Sequence, residues 1–237
     1  MTRQEFSDSF TTLLNSYSKQ AEFGEQFSKR EIVLDEYEKS VLLTHAQEEL
    51  VMSYYDGKNI YGDSFEATEE LRRQLDSLVK TKVYTTQDMV EGTGVSNNSV
   101  FFQLPSDLAF ITMEQLTYGD ESLGCYNGSR VNVQPTKQDE YNKIKNNPFR
   151  GVTKYKALRL DAGNGVVEII SKYNIDKYLI RYISRPEPIV LEDLPNGLTI
   201  EGISVATECK LNPVLHKTIL ERAVLMALRA KGINTDR

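Results

Sequence analysis

Tryptophan is absent from this chain of 237 residues, and cysteine and histidine occur only twice each. The two cysteines, Cys125 and Cys209, lie far apart and in no metal-ligand spacing, so a disulfide framework and a zinc knuckle are both excluded as organising devices. Free thiols are the expectation, since no histidine neighbours either one in sequence to activate it. Neither His45 nor His216 has a second histidine four residues away, as a helical metal site would need, and only Glu48 and Glu49 stand close to His45. Both histidines read as helix residues that are hydrogen-bonded or solvated. A basic excess is missing too: 28 Lys and Arg against 34 Asp and Glu leave a formal charge of −6, which argues against a general nucleic-acid binder and leaves room only for a local basic patch. No apolar run approaches 18 residues and no charged-then-apolar leader opens the chain, so the expectation is a soluble protein, without a membrane partner, that acts where it is made. The phosphate-cradling patterns fail as well. Gly92-Thr93-Gly94 lacks a third glycine and a following helix, and GKNIYG at 57–62 is not followed by Lys-Ser or Lys-Thr. No serine sits in Gly-x-Ser-x-Gly.

What is present is a globular composition, 40% hydrophobic and 26% charged, on a chain long enough to bury a core without staples. The most informative stretch runs from Tyr178 to Lys231. Tyr178, Ile180, Tyr182 and Ser184 alternate with Leu179, Arg181, Ile183 and Arg185, the period of a half-buried strand. Pro186 and Pro188 stop that ladder because neither donates a backbone hydrogen bond. Further on, Asn212 and Pro213 mark a helix start. Leu215, Ile219, Leu220, Ala223, Val224, Ala227 and Leu228 then recur at threes and fours, with Leu225 and Met226 widening the stripe. His216, Lys217, Glu221, Arg222 and Arg229 fall between them, and Gly232 closes the helix.

Upstream, Phe6, Phe10, Leu13, Leu14 and Tyr17 predict an amphipathic helix over 2–18, and Tyr17–Ser28 reads as a connection docking by Phe23 and Phe27. A second helix is predicted over Asp35–Tyr55, with Asp35 and Glu38 forming a capping box and Tyr37, Val41, Leu42, Ala46, Leu50 and Tyr54 as its apolar stripe. A third is predicted over Glu66–Lys80, with Leu71, Leu75, Leu78 and Val79 on one face. From there β-branched and aromatic runs predict strands over 82–86, 100–104, 109–118, 130–134, 155–160, 165–171 and 174–184, with a short helix opening at 136–140. Asp161-Ala162-Gly163-Asn164-Gly165 is a hairpin signal. The expected fold class is α+β: a helical N-terminal part (1–82) and a long C-terminal helix (209–237) that returns to it, packed with a mainly antiparallel sheet from a β-rich part (83–208), in one continuous domain. The loop Gly92–Ser99 is the best candidate for any boundary.

No catalytic, cofactor-binding or metal-binding residue is predicted. Glu66, Glu69 and Glu70 suit a helix dipole, and Glu187, Glu192 and Asp193 read as a solvated acidic face. Arg181 and Arg185 share one face of their strand and are suited to ion pairs with a neighbouring subunit. With Glu187, Lys231 and Arg237 they form the set of subunit-interface candidates. Contact work is also expected of the loops Gly92–Ser99 and Leu123–Ser129 and of the tail Lys231–Arg237.

Several stretches carry a family resemblance: Asp35–Thr44 with Ala46-Gln47-Glu48-Glu49, Ser64–Arg72, Asn147-Pro148-Phe149-Arg150, Arg181–Ile189, and the final helix after Cys209. Over most of its length the chain resembles virion structural proteins of crAss-like tailed phages, in sequence texture and not in a catalytic motif. The resemblance implies a neck component, a ring or head–tail adaptor below the portal, in the virion and assembled in the host bacterial cytoplasm. It implies a homo-oligomeric ring of about a dozen copies. The implied partners are the chain itself, the portal, other neck or tail proteins, and genomic DNA passing without sequence recognition. An acid-lined channel lets DNA slide, since like charge prevents sticking. Two other readings compete: a phage regulator or assembly chaperone outside the particle, and a hydrolase using carboxylates such as Asp161, Glu187 or Asp193.

Overall fold

The computed structural model describes residues 1–21, 32–58, 64–65, 67–195 and 197–233. The chain divides into two units, Met1–Leu78 with Pro186–Arg237, and Val79–Arg185. The fold class is α+β, as the patterning predicts.

The first unit is a helix assembly. Helices α1 (Arg3–Ala21) and α2 (Glu36–Asp56) both pack on α5 (Pro213–Ala230). Their boundaries follow local chemistry. The Asp35 carboxylate accepts from the Glu38 amide at 2.7 Å while Glu38 accepts from the Asp35 amide at 3.2 Å, the reciprocal capping box. The Asn212 side chain accepts from the Val214 amide, with Pro213 in the first turn. All seven residues of the α5 stripe from Leu215 to Leu228 are buried, as are Phe6, Phe10 and Leu14 of α1, while Leu225 and Met226 are half-buried.

Two expectations need correction here. The third helix is shorter than its leucines suggest: α3 is Glu69–Gln74, a 3-10 turn covers Asp76–Leu78, and Val79 already belongs to a strand. Leu71, Leu75 and Leu78 are buried all the same, because a 3-10 turn carries a three-residue spacing as well as an α-helix does. The α2 stripe is also rotated. Its buried face runs through Lys39, Ser40, Leu43, Thr44, Ala46, Gln47, Leu50, Val51 and Tyr54, leaving Tyr37, Val41 and Leu42 only half-buried. His216, read as hydrogen-bonded or solvated, is buried at 4% exposure and is the hydrogen-bonded case. The region 22–31, with Phe23 and Phe27, lies outside the described residues.

The rotation of α2 has a physical cause: its polar residues are receptors for an extended segment. Gln47 Nε2 donates to Glu187 O at 2.7 Å, and the Thr44 hydroxyl accepts from the Ile189 amide at 3.1 Å. Ser40 Oγ accepts from the Leu191 amide at 3.0 Å. Side chains at 40, 44 and 47 thus meet alternate residues 191, 189 and 187. One helical turn of about 5.4 Å is close to the two-residue step of a strand, about 6.7 Å, so the ladder stays in step over this short run. On the other flank Val190 pairs with Thr207, whose hydroxyl donates to Pro188 O at 2.5 Å. The Ile189, Val190 and Leu191 run is thereby buried with its backbone satisfied.

The second unit is an eight-stranded sheet ordered β1-β8-β4-β5-β6-β7-β3-β2. The strands are β1 (Val79–Thr85), β2 (Met89–Val90), β3 (Ser99–Gln103), β4 (Leu108–Tyr118), β5 (Arg130–Pro135), β6 (Lys156–Gly163), β7 (Val166–Ile170) and β8 (Ile175–Ser184). Every pairing is antiparallel except β5–β6, which are parallel because α4 (Gln138–Ile144) lies in the connection between them. Asn164 and Gly165, at φ 51° and 72°, form the two-residue turn between β6 and β7, the left-handed pair that an Asn-Gly hairpin requires.

The sheet curls so that one face encloses a core. Tyr84 of β1 meets Phe102 of β3 at 5.3 Å between ring centroids, and both meet Tyr178 of β8. Tyr178, Ile180 and Tyr182 share that interior with Leu116, Tyr118, Val131, Val133, Ala157, Val167 and Ile169. A smaller cluster, Leu158, Leu160 and Ile170, is covered on the outer face by Tyr141 and Ile144 of α4. The β8 alternation holds except at Ile183, which is buried on the outer side.

Candidate assembly surfaces

The curled sheet carries three polar anchors, one at its seam, one between strands inside the curl and one beneath a loop. Asp107 joins Lys80 of β1 at 2.6 Å, accepts from the Tyr182 hydroxyl at 3.2 Å, and through its carbonyl accepts from the Arg185 amide at 2.7 Å. Burial opposes ionisation of this carboxyl, but the Lys80 and Tyr182 contacts hold it below the usual carboxylate range. With the Tyr84 hydroxyl donating to Gln103 O at 2.8 Å, it closes the seam between the two ends of the sheet.

Inside the curl, Glu114 accepts from Arg159 Nη1 at 2.9 Å and from the Tyr178 hydroxyl. Arg159 also stands 3.4 Å from Asp161. Burial, and then the Glu114 charge, push the Tyr178 phenol far above its ordinary value, so it remains a donor.

The third anchor is Glu168, 4% exposed, which accepts from the Val95 amide at 2.7 Å and from the Ser99 hydroxyl. It pins the Gly92–Ser99 loop. A Cβ on Gly94 would stand 2.5 Å from Ser99 Cβ, so the loop is seated too closely for any side chain there. A loop that reads in sequence as free polar chain is therefore held by a buried carboxylate. No signal in the sequence distinguishes Glu168 from a surface acid of β7.

The interface candidates fall in different places. Arg181 and Arg185 are exposed and make no ion pair among the described residues. Glu187 is exposed but engaged, 2.6 Å from Lys210. Lys231 is exposed at the end of α5, where its amide caps Ala227 and Leu228, and Arg237 lies outside the described residues. The carboxylates of the hydrolase reading are not gathered into a pair. Asp161 faces Arg159, Glu187 faces Lys210, and Asp193 accepts from the Ala206 amide at 2.8 Å. Among the described residues no group of three or more His, Cys, Asp and Glu is arranged to hold a metal ion, and no helix is long and apolar enough to cross a membrane.

The histidines and thiols have ordinary roles. His216 Nε2 donates to Leu211 O at 3.0 Å, its Nδ1 lies 2.7 Å from the Met1 nitrogen, and its ring tilts against Phe6 at 5.3 Å. Burial holds its pKa below the ordinary value. Cys209 donates to Gln47 Oε1 at 3.2 Å, and burial pushes its thiol up, away from thiolate chemistry. Cys125 is exposed and free.

One surface was not legible as a site in advance, the loop that follows α4. Phe149 is 88% exposed, yet its loop is tightly built. The Asn147 side chain accepts from the amides of Phe149 and Arg150, and Lys156 Nζ donates to both carbonyls at 3.1 and 2.9 Å. A Cβ on Gly151 would stand 2.7 Å from Asn147 O. Beside it Lys154 lies 4.4 Å from the Tyr126 ring and 4.9 Å from that of Tyr155, both rings exposed. Tyr126 belongs to the Leu123–Ser129 loop, so that segment contributes to the same aromatic surface. The available signal was Asn147-Pro148-Phe149-Arg150, an aromatic in a polar turn.

Comparison with known proteins bears on these surfaces. A family model described as phage tail ring protein 3/4 matches residues 1–237. The chain is 52% identical over 233 residues to "Ring protein 3" of Bacteroides phage crAss001, covering 98% of this chain and 96% of that relative. It is 33% identical over 249 residues to "Ring protein 4/5" of the same phage, covering 97% and 93%.

Proposed function

This chain belongs to the crAss-like phage tail ring protein 3/4 family, and from that premise we propose that it is a head–tail connector subunit. The family is one of structural virion proteins of the tail region and not of enzymes. The proposed assembly is a closed homo-oligomeric ring of about a dozen copies, stacked with the portal or with other neck and tail rings. Genomic DNA passes through its channel without sequence recognition. The match over the whole chain carries the reading.

Two observations support it. Each unit has its own buried core, and in the second the buried Glu168 pins the Gly92–Ser99 loop while Glu114 and Arg159 tie β4 to β6, which suits a body that sets subunit spacing. The formal charge of −6 suits a channel that DNA must not stick to.

Native mass spectrometry of the purified chain, alone and with its candidate portal, tests the proposal. A closed multimer, or a monomer that closes into a ring only with the portal, is the expected result. A stable monomer indifferent to portal would overturn it in favour of a regulator or chaperone outside the particle.

A further inference from the structure

The two edges of the curled sheet are finished differently. At one edge β2 is only two residues long, and the Gly92–Ser99 loop that follows it is folded down onto Glu168. At the other, β1 pairs with β8 over its seven residues without a register shift and has no strand on its far side among the described residues. The phase of its free groups follows from β8. Arg181 O accepts from the Thr112 hydroxyl of β4 at 3.0 Å, so the Arg181 backbone faces β4 and not β1. Thr81 stands opposite Arg181, and opposed residues of an antiparallel pair alternate between exchanging both bonds and exchanging neither. Lys80, Lys82 and Tyr84 are therefore the residues bonded to β8, while Thr81 and Val83 turn N–H and C=O outward. Thr85 has the same phase, and its amide is taken off the sheet by the Asp88 carboxylate at 2.8 Å. Among the described residues the backbone groups of Thr81 and Val83 have no hydrogen-bond partner, and both residues are exposed.

Edge strands are ordinarily shielded by a proline, a bulge or projecting lysines. β1 has neither proline nor bulge, and its two lysines are drawn in: Lys80 Nζ lies 2.6 Å from Asp107 Oδ2, and Lys82 Nζ lies 4.6 Å from the centre of the Tyr84 ring. An open groove of about 520 Å³ runs beside this edge, with Lys82 and Tyr84 on one wall and Gln103 to Asp107 on the other. We propose that β1 accepts an extended segment of the next copy in the ring as a ninth strand of the sheet. The inference rests on the ring reading above and adds to it the surface by which one copy holds the next. Thr81 and Val83 each offer an outward N–H and C=O at strand spacing, the pattern that an extended backbone recognises, and the groove takes alternate side chains of the added strand. The occupant is a second copy because a ring sets identical chains side by side, each presenting the same open edge. Pairing β1 with β1 would close at two copies, so the segment received differs from β1, as a head-to-tail contact requires.

The test uses the full chain under conditions where the wild type forms its multimer, with mass measured natively and amide exchange followed in the multimer and in the diluted monomer. The Thr81 and Val83 amides should exchange about tenfold slower or more in the multimer, because only there do they gain acceptors. V83P removes an N–H that β8 does not use, and should assemble about tenfold less well. T81K/V83K sets two unmatched charges along the edge and should impair assembly in the same way while melting as the wild-type monomer does, which keeps the test independent of any strain at the proline. Equal exchange of these amides in monomer and multimer, or wild-type rings from T81K/V83K, would overturn the proposed contact and leave the family's ring architecture standing. Protection that arises only when portal is added to a multimer already closed would give the edge to the portal and overturn its assignment to a second copy. A wild type that forms no multimer with or without portal would overturn the ring reading and this inference together.

Discussion

The hydroxyl of Thr44 does for Ile189 what a neighbouring strand would otherwise do: it accepts from the Ile189 amide at 3.1 Å and lies 3.4 Å from its carbonyl oxygen. Both residues are buried, so neither backbone group has water as an alternative partner. T44V keeps the shape and removes the hydroxyl. We expect a loss of about 1–3 kcal/mol, from leaving buried backbone groups unpaired. Urea unfolding checks this through a lower midpoint at unchanged slope. An unaltered midpoint would mean that α2 does not hold the segment.

The ion pair inside the curled sheet gives an asymmetric prediction. R159M leaves the Glu114 carboxylate buried with only the Tyr178 hydroxyl, and the expected cost is about 3–5 kcal/mol. E114L/R159M removes both charges from the same space and should recover most of that loss. Denaturant curves for the two variants decide it. Equal destabilisation in both would show that packing, not the stranded charge, is at stake.

Stability should depend on pH through His216. Burial lowers its pKa in the folded state, so below about 6.5 the unfolded chain binds more protons than the folded one. The contribution is fully present above that value and is lost as pH falls through the folded pKa. Melting temperature should therefore drop as pH falls below about 6.5 in the wild type and stay flatter in H216Q, which keeps a donor for Leu211 O. Parallel profiles for the two proteins would remove His216 as the cause.

Glu168 sets the mobility of the Gly92–Ser99 loop. In E168A the Val95 amide loses its acceptor and should exchange its proton about tenfold faster or more, with the exchange of β7 itself little changed. G94A should act in the same direction, because a Cβ there meets Ser99. Hydrogen exchange measured by mass spectrometry or NMR distinguishes these outcomes from uniform loosening of the sheet.

Much of the fold is determined by the sequence alone, because its signals are local. The Asp35–Glu38 box, the Asn212-Pro213 start and the Asn164-Gly165 turn each act within a few residues. The α5 stripe and the β8 alternation are periodicities that burial of one face enforces. The whole-chain likeness to ring proteins is likewise a property of sequence.

Tertiary structure decided what periodicity cannot encode. Ser40, Thr44 and Gln47 look like the wet side of α2, and they face inward only because residues 187–191 arrive with unpaired backbone groups. Glu114 and Glu168 look like surface acids, and they are buried because distant donors, Arg159 and the Val95 amide, converge on them. Phe149 lies in a polar turn whose sequence does not say where its ring goes, and it stands in solvent because Asn147, Lys156 and Gly151 fix the loop that carries it. Hydrophobicity is a property of one residue, whereas the partner that makes a polar burial affordable comes from elsewhere in the chain.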